Sequence, residues 1–378
     1  MPTDRAFAAH ATIDLTALRH NLEIFRHARP GCPVMAMVKA NAYGHGLIPV
    51  AHALHDVDSL AVARLNEASV LRDAGVRQPL VLLEGVFTAA EWQQAVALDC
   101  EIVIHTEEQL ALMRAARTQP RVVWVKVNSG MNRLGFAPEG FAEVVSAVRS
   151  VSSDIEIRLM SHFADADRED SDLSARQLER LEPILEHWTG AVSLENSPAC
   201  LTRLAQDLLK RAPRQIWLRP GIGLYGAASM VGNEADSESR LRAVMTFKAR
   251  IIAVQMLSPG ERVGYGGRFV ADREMRIGVV AAGYGDGYPR MMPDGAPVLV
   301  DGAESQIVGR VSKDMLTVDL TSRPSSGFGS EVILWGRTPS AHRLAAEIGT
   351  IGYELVTRVS DRVDRIYLGE LPPAGQVW

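Results

Sequence analysis

From residue 34 to about residue 220 the chain repeats one alternation: a short apolar run, then a longer stretch whose apolar residues recur every three or four positions. The runs are "VMAMVKA", "SLAVAR", "PLVLLEG", "EIVIHT", "VVWVKVN", "IRLMSHF", "AVSLEN" and "IWLRPG". They have almost no polar face, the pattern of strands covered on both sides in a parallel sheet. The stretches between them, such as "LNEASVLRDAG", "TAAEWQQAVALD", "TEEQLALMRAAR" and "SARQLERLEPILEHW", read as amphipathic helices. Eight strands alternating with helices predict an α/β fold, a parallel (β/α)8 barrel of the TIM type.

After about residue 240 the pattern changes. "MTFKARIIAVQML", "MRIGVVAAGYG", "APVLVDG", "SQIVGRV", "MLTVDL" and "EVILWG" are short, rich in Val and Ile, and separated by Gly, Pro and Asp turns. This predicts a mostly β second domain, interrupted by one helix at "AHRLAAEIG". The expected division is residues 1–239 for the barrel and 240–378 for the β domain. An amphipathic helix at "IDLTALRHNLEIFRHA" precedes the first barrel strand and is a candidate to pack on the second domain. A chain of 378 residues, 47% hydrophobic and 22% charged, can bury two such cores.

Polar residues end the apolar runs: Lys39, Arg64, Glu84, His105, Lys126 with Asn128, His162, Asn196 and Arg219. A barrel's active site lies at the C-terminal ends of its strands, so these groups are expected to converge on one mouth. Lys39, in "MAMVKANAYGHG", would from its position alone read as a lysine carrying its strand into solvent. The net charge of −5 and the lack of a basic block argue against nucleic acid and anionic membranes as partners. No apolar run is long enough to span a bilayer, and "MPTDRAFAAHATIDL" lacks the apolar core of a signal peptide, so a cytoplasmic protein is expected. Cys32, Cys100 and Cys200 have no CxxC spacing and the histidines no HExxH pattern, so no metal is expected. The chemistry then falls to side chains or an organic cofactor.

Glycine-rich "RPGIGLYG" follows the eighth run, and "ENSPA", with Ser197, follows the seventh. Barrels commonly bind phosphate at these two loops, through backbone amides that glycine leaves unobstructed. Either segment alone could equally be a tight turn. A phosphate site, a lysine in the same mouth, and no dinucleotide fingerprint point to pyridoxal 5'-phosphate, joined to the lysine as a Schiff base.

At this point "MVKANAYGHG" closely resembles the cofactor-lysine motif of the alanine racemases, barrel-type (fold type III) pyridoxal phosphate enzymes. The resemblance continues in order through "KVNSGMNRLGF", "MSHFADAD", "ENSPACL", "RPGIGLYG", "VGYGGRF", "AAGYGDGYPR", "GRVSKDMLTVDL" and "IGTIGYELVTRV". It implies a two-base interconversion of L- and D-alanine, an isomerase reaction that supplies D-alanine for peptidoglycan or L-alanine from D-alanine catabolism. Lys39 would be the cofactor lysine and one base. Tyr265 would be the other, from the opposite face, although by itself it reads as a strand tyrosine. His162 would stack on the cofactor ring, and Arg219 would face its pyridine nitrogen. Asn196 would lie beside the cofactor, and Tyr43, Ser197, Gly221, Ile222 and Tyr353 would hold the phosphate; Tyr43 and Tyr353 taken singly could be core tyrosines. Lys126 would be carbamylated and pair with Arg133, which would contact cofactor and substrate. Lys313, through its backbone amide, and Tyr284 would also meet the substrate, and Tyr284, Asp167 and Arg290 would line the access corridor. The second base comes from the partner in this family, which implies a head-to-tail homodimer with shared sites.

The chain departs from the family pattern in three places. Lys313 stands where methionine is usual, "NSG" at 128–130 replaces the commoner Asp-Thr-Gly, and "VSDRVDRIY" has aspartates where prolines are frequent. Competing readings keep the mechanism but change the substrate to serine or a larger amino acid, make the protein a pyridoxal phosphate carrier without catalysis, or make it a decarboxylase on the same plan. The crowd of Tyr265, Tyr284 and Tyr353 favours a small pocket.

Overall fold

The computed structural model describes residues 7–168, 170–202, 215–226 and 241–369. The expected domain boundary at 239/240 lies outside the described residues.

Strands β2 (Met35–Met37), β3 (Ser59–Val62), β4 (Leu80–Leu82), β5 (Cys100–Ile104), β6 (Val122–Lys126), β7 (Glu156–Met160) and β8 (Val192–Ser193) form a seven-stranded sheet in chain order, and every pair is parallel. The eighth run is too short to form a regular strand, yet it bonds on both sides. Trp217 donates to Val192 O (2.8 Å) and Gln215 O accepts from Val192 N (2.9 Å); Leu218 donates to Pro33 O (2.9 Å) and Leu218 O accepts from Met35 N (2.8 Å). These bonds carry the sheet back to β2. Met35, Met37, Ala61, Val81, Val103, Trp124, Met160 and Trp217 fill the interior as one apolar cluster.

The helices follow the predicted stretches: Leu65–Asp73, Ala89–Ala97, Glu107–Ala115 and Leu173–His187, with a further one at Phe141–Val151. Their starts are set by local chemistry. Thr88 and Glu91 form a capping box, and Thr106 accepts from Gln109 N.

The second sheet has eight strands: β1 (His10–Asp14), β9 (Met245–Leu257), β12 (Met275–Val280), β13 (Pro297–Val300), β14 (Ala303–Gln306), β15 (Leu316–Asp319), β16 (Glu331–Trp335) and β17 (Asp364–Leu368). A separate hairpin pairs β10 (Arg262–Val263) with β11 (Phe269–Val270). Strand β9 is the spine, antiparallel to β1, β12 and β16, and along its first half buried and partly exposed residues alternate. Helices Ala341–Glu347, expected from "AHRLAAEIG", and Gly352–Thr357 follow β16.

The expected N-terminal amphipathic helix is present, but a strand precedes it. Residues His10–Asp14 are a strand, parallel to β17 and antiparallel to β9, so the first ordered element belongs to the second sheet rather than to the barrel. Only then does α1 (Leu15–Ala28) begin, capped by Asp14, whose carboxylate accepts from Thr16 N and Ala17 N. The helix lies mainly against barrel elements and also touches β17; Asn21 donates to Leu224 O and to Arg242 O, one on each side of the expected division. Alternation in "HATID" was masked by the stronger helical period after it. No helix among the described residues is long and apolar enough to cross a membrane.

Candidate active site

Strand β2 ends in a buried apolar run, and Lys39 follows it at the rim. The next four residues, Ala40, Asn41, Ala42 and Tyr43, all have left-handed φ values of 54°, 54°, 52° and 52°, though none is glycine. Successive L-residues in this conformation bring Cβ against the following carbonyl, at about 1–2 kcal/mol each. The surroundings enforce it. Glu67 accepts from Ala40 N (2.6 Å), Asn41 Oδ1 accepts from Leu47 N (2.8 Å), and Arg365 donates to Gly44 O (2.7 Å). Gly44 and Gly46, both at positive φ, end the turn where a Cβ would strike Val356 O and the Tyr367 hydroxyl. The turn aims Lys39 and Tyr43 into the barrel mouth.

There they line a cavity of about 610 Å³ together with Lys126, Arg133, His162, Asn196, Ser197, Arg219, Gly221, Ile222 and Tyr353. The strand-end residues Glu84 and His105 are also on the wall, as are Met37, Ala63, Leu83, Phe87 and Leu134. Two strand-end expectations fail. Arg64 is exposed, because Ala63 takes the inward position and Arg64 starts the next helix. Asn128 turns into its own loop, where its Oδ1 accepts from Gly130 N and Asn132 N.

Four cations face this cavity, Lys39, Lys126, Arg133 and Arg219, against one carboxylate, Glu84. Burial, then Arg133, with Arg219 adding to the push, holds the Lys39 amine below the usual lysine range, while Glu84 and Glu67 oppose them. Lys126 is brought down to about 7, first by burial and then by Arg219, Arg133 and Lys39. Burial, then Arg219, holds His162 well below the usual histidine range, so its ring is neutral. Arg219 is lowered to about 10, chiefly by burial, and stays charged at neutral pH. Burial pushes the Tyr43 hydroxyl up to about 12 and raises Tyr353 as well.

Arg219 is held by Ser161 O (2.6 Å) and lies 3.2 Å from His162 Nδ1, but its buried Nε has no partner. Ser197 Oγ accepts from Gly221 N (2.7 Å) and Gly223 N (3.2 Å). A Cβ at Gly221 would come within 2.8 Å of the Tyr43 hydroxyl, so only glycine leaves this cradle open. Asn196 caps the short helix Ser197–Leu201 by accepting from Ala199 N (3.2 Å). An anionic, heteroaromatic cofactor fits the groups that line this cavity: the Tyr43, Ser197 and Tyr353 hydroxyls beside the glycine turn, an Arg219 Nε–H without a partner, and a lysine amine of lowered pKa.

Asp167 is half-buried near this mouth, and its charge acts on the Tyr353 hydroxyl. The remaining expected residues are not in the cavity. Tyr265 is 71% exposed on a 3-10 turn between β10 and β11. Tyr284, Arg290 and Lys313 are exposed on loops of the second sheet. Those loops are joined to one another: Tyr284 N donates to Ser312 O (3.0 Å), Gly285 N donates to Lys313 O (2.8 Å), and Arg362 bridges Asp286 and Asp314 at 2.8 Å each. Glu67 was missed from sequence; its only signal was a glutamate three residues into a helix without a Ser or Thr cap before it.

Residues 13–229 match the family model described as "Alanine racemase, N-terminal domain", and residues 244–367 match "Alanine racemase, C-terminal domain". The chain is 46% identical over 358 residues to the alanine racemase of Nitrosomonas eutropha, covering 94% of this chain and 98% of that protein. It is 45% identical over 365 residues to the catabolic alanine racemase of Pseudomonas aeruginosa, covering 96% and 99%. The biosynthetic alanine racemase of the same organism superposes with a TM-score of 0.90 at 42% identity, covering 96% of this chain and 99% of that one. An alanine racemase from Bartonella henselae with covalently bound pyridoxal phosphate superposes with a TM-score of 0.84 at 25% identity, over 96% and 99% of the two chains. With both halves matched and nearly the full length covered, the chain belongs to the alanine racemase family.

Proposed function

We propose that this protein racemises alanine with pyridoxal 5'-phosphate on Lys39, by proton exchange between two bases on opposite faces of the substrate. The observation that carries this reading is the mouth itself: a lysine of lowered pKa, a glycine turn and a buried guanidinium whose Nε has no partner, all in one cavity. Ser197, Gly221, Ile222, Tyr43 and Tyr353 would hold the phosphate, His162 would pack on the ring, Asn196 would lie beside it, and Arg219 would donate its free Nε–H to the ring nitrogen. When bound, the cofactor withdraws electrons from the substrate's α-carbon and acidifies its proton.

Lys39 Nζ takes or returns that proton on one face. Burial and Arg133 lower its pKa, which favours the neutral amine that a general base requires. Arg219 cannot surrender a proton, so it leaves the ring nitrogen unprotonated and keeps charge from accumulating there, which favours rapid reprotonation over side reactions. Lys126 carries a carbamate: its amine, at about 7, is available to carbon dioxide in neutral form, and the resulting anion pairs with Arg133. Arg133 then contacts substrate and cofactor, beside Tyr284 and the Lys313 backbone amide, and Asp167 and Arg290 line the way in.

Tyr265 Oη is the second base. Because Tyr265 is exposed and outside its own chain's cavity, it serves the cavity of a second copy, which makes the active form a head-to-tail homodimer. The domain division at 239/240 then separates the cofactor barrel from the part that lends the second base. A second base has no place in a pure carrier, and an arginine at the ring nitrogen disfavours a decarboxylase. The protein acts in the cytoplasm, on D-alanine supply or D-alanine catabolism. The decisive experiment is decay of the circular dichroism of L-alanine, to zero with wild type and not at all with Lys39→Ala. Persistence of the signal with cofactor bound would transfer the reading to serine or another amino acid, and active monomers in a sedimentation run would contradict the shared site.

A further inference from the structure

We propose that Glu67 is a positioning residue for Lys39, its carboxylate clamping the left-handed turn that carries the lysine to the end of the neighbouring strand. The inference rests on Lys39 being the reacting amine. The carboxylate is shared between two strand ends. Its Oε1 accepts from Ala40 N at 2.6 Å, immediately after Lys39. Its Oε2 accepts from Ala63 N at 2.9 Å and Arg64 N at 3.2 Å, where β3 passes into its helix. Ala63 itself lines the cavity, so the bond network spans one wall of the mouth.

A clamp is needed here because the turn opposes itself. Ala40, Asn41, Ala42 and Tyr43 all hold φ between 52° and 54°, a run that L-residues do not keep unaided. The far half has its own ties: Asn41 Oδ1 to Leu47 N, the His45 ring at 2.9 Å from Tyr43 O, and Arg365 to Gly44 O. Beside the lysine, the Ala40 N–H is tied to Glu67. If that tie is lost, Ala40 is free to leave the left-handed region, and Lys39, one residue earlier, swings with it. The same carboxylate acts on the Lys39 amine through its charge.

The protein contains its own control. Glu91 occupies the same third position of its helix and accepts from Phe87 N (2.8 Å) and Thr88 N (3.1 Å), the same two bonds to a helix start. Glu91→Gln therefore disturbs an equivalent cap without touching the lysine turn. In Glu67→Gln one carboxylate oxygen becomes an amide NH2 facing backbone donors, so the side chain can satisfy one strand end but not both.

The experiment measures amide hydrogen exchange of residues 39–47 in the cofactor-loaded protein, with kcat and KM for alanine alongside, in Glu67→Gln, Glu91→Gln, Ala40→Gly and Glu67→Gln/Ala40→Gly. The expected result for Glu67→Gln is exchange at 39–47 faster by about tenfold or more and kcat lower by a similar factor at near-constant KM, the scale of one lost bond to a charged acceptor. Glu91→Gln leaves 39–47 unchanged. Ala40→Gly, by removing the Cβ that resists the left-handed turn, restores protection in the Glu67→Gln background. The proposal is overturned if Glu67→Gln speeds exchange only around 63–73, or if Ala40→Gly makes Glu67→Gln worse, since a purely structural glutamate gains nothing from a more flexible neighbour. Should Glu67→Gln fail to fold, Glu67→Asp, too short to reach both strand ends, gives the same readout. Exchange reports on the clamp even if wild type fails to racemise alanine, so failure of the clamp and failure of the functional reading are distinguishable.

Discussion

The two ends of the barrel are built by the same strands and solve opposite problems. At the floor, β5, β6 and β7 bring together Glu101, Trp124 and Arg158. The guanidinium lies 2.6 Å from Glu156 and 3.3 Å from Glu101, Trp124 Nε1 donates to Glu101 at 2.6 Å, and Arg158 stacks over Trp124 and Trp217 at 5.4 and 4.8 Å. Each buried charge there has its partner. At the mouth, the same β6 ends in Lys126 and the segment after β7 presents His162, among cations that face a single carboxylate. The floor's buried charges are paired, whereas the mouth is left positive. Charge left uncompensated inside a barrel is stable only if a ligand or a modification supplies the missing anions, which marks the mouth as the place of chemistry.

The largest effect expected from this contrast is at the mouth. Lys39→Ala should remove racemisation beyond detection while leaving thermal unfolding near wild type, because a partly exposed lysine that burial and neighbouring cations destabilise contributes little to folding. Circular dichroism of alanine and of the protein measures both. Tyr265→Phe should lower kcat by about 10²- to 10⁴-fold, the usual range for a lost proton-transfer group. If the sites are shared as proposed, mixing it with Lys39→Ala should restore activity, because a mixed dimer would hold one complete site.

At the floor the expected loss is one of stability. Arg158→Ala should destabilise by about 3–5 kcal/mol in denaturant unfolding, because it strands Glu101 without its partner. Activity per folded molecule should be unchanged. Burial already holds the Glu101 carboxyl above its usual range, and Arg158 pulls it down. Without Arg158 the carboxyl rises further. A carboxyl raised in the folded state gives stability that is present at low pH and lost as pH rises through the folded value, so the deficit should shrink on acidification. A deficit equal at acid and neutral pH would mean that Arg158 acts by packing over the two tryptophans.

This contrast also explains what was legible in the sequence. The barrel was readable because fully buried parallel strands are uniformly apolar, and each run's polar terminus marked where the chain reaches the rim. That rule placed Lys39, His162 and Arg219 in one cavity and failed at Arg64, which stands at the start of the next helix while Ala63 lines the cavity. Strand β1 was hidden because five alternating residues are a weak signal beside fourteen helical ones. The left-handed turn after Lys39 had no signature at all, since its residues are not glycine and the groups that hold it, Glu67 and Arg365, are distant in sequence. Tyr265 is a candidate through the family resemblance alone; nothing in its own chain's geometry brings it to the cavity.

A pH experiment sharpens the mouth's side of the comparison. Lys126, ordinarily charged, is brought down to about 7 by burial and the surrounding cations. A lysine lowered in the folded state destabilises the fold fully below that value, and the penalty is relieved as pH rises from about 7 toward the unfolded amine's range. Only the neutral amine reacts with carbon dioxide. At fixed dissolved 13C-labelled carbon dioxide, the carbamate signal should therefore appear with a midpoint near pH 7 in protein not yet loaded with cofactor, and be missing in Lys126→Ala. A midpoint near that of free lysine would mean that the four cations do not act on one another as their shared cavity implies.

The smallest effect concerns a chain-specific charge on the β-domain side, Lys313. Lys313 is exposed on a loop held by backbone bonds and by Arg362, so its side chain can change without moving its backbone amide. If the amide is the substrate contact, Lys313→Met should leave kcat unchanged and raise KM for alanine by no more than about fivefold, the scale of one solvent-exposed charge interaction. Because that contribution is screened, the difference between Lys313 and Met should fade as salt rises from low to molar concentration. An equal loss at every salt concentration would assign the effect to loop geometry, and an unchanged KM at low salt would remove Lys313's charge from substrate capture.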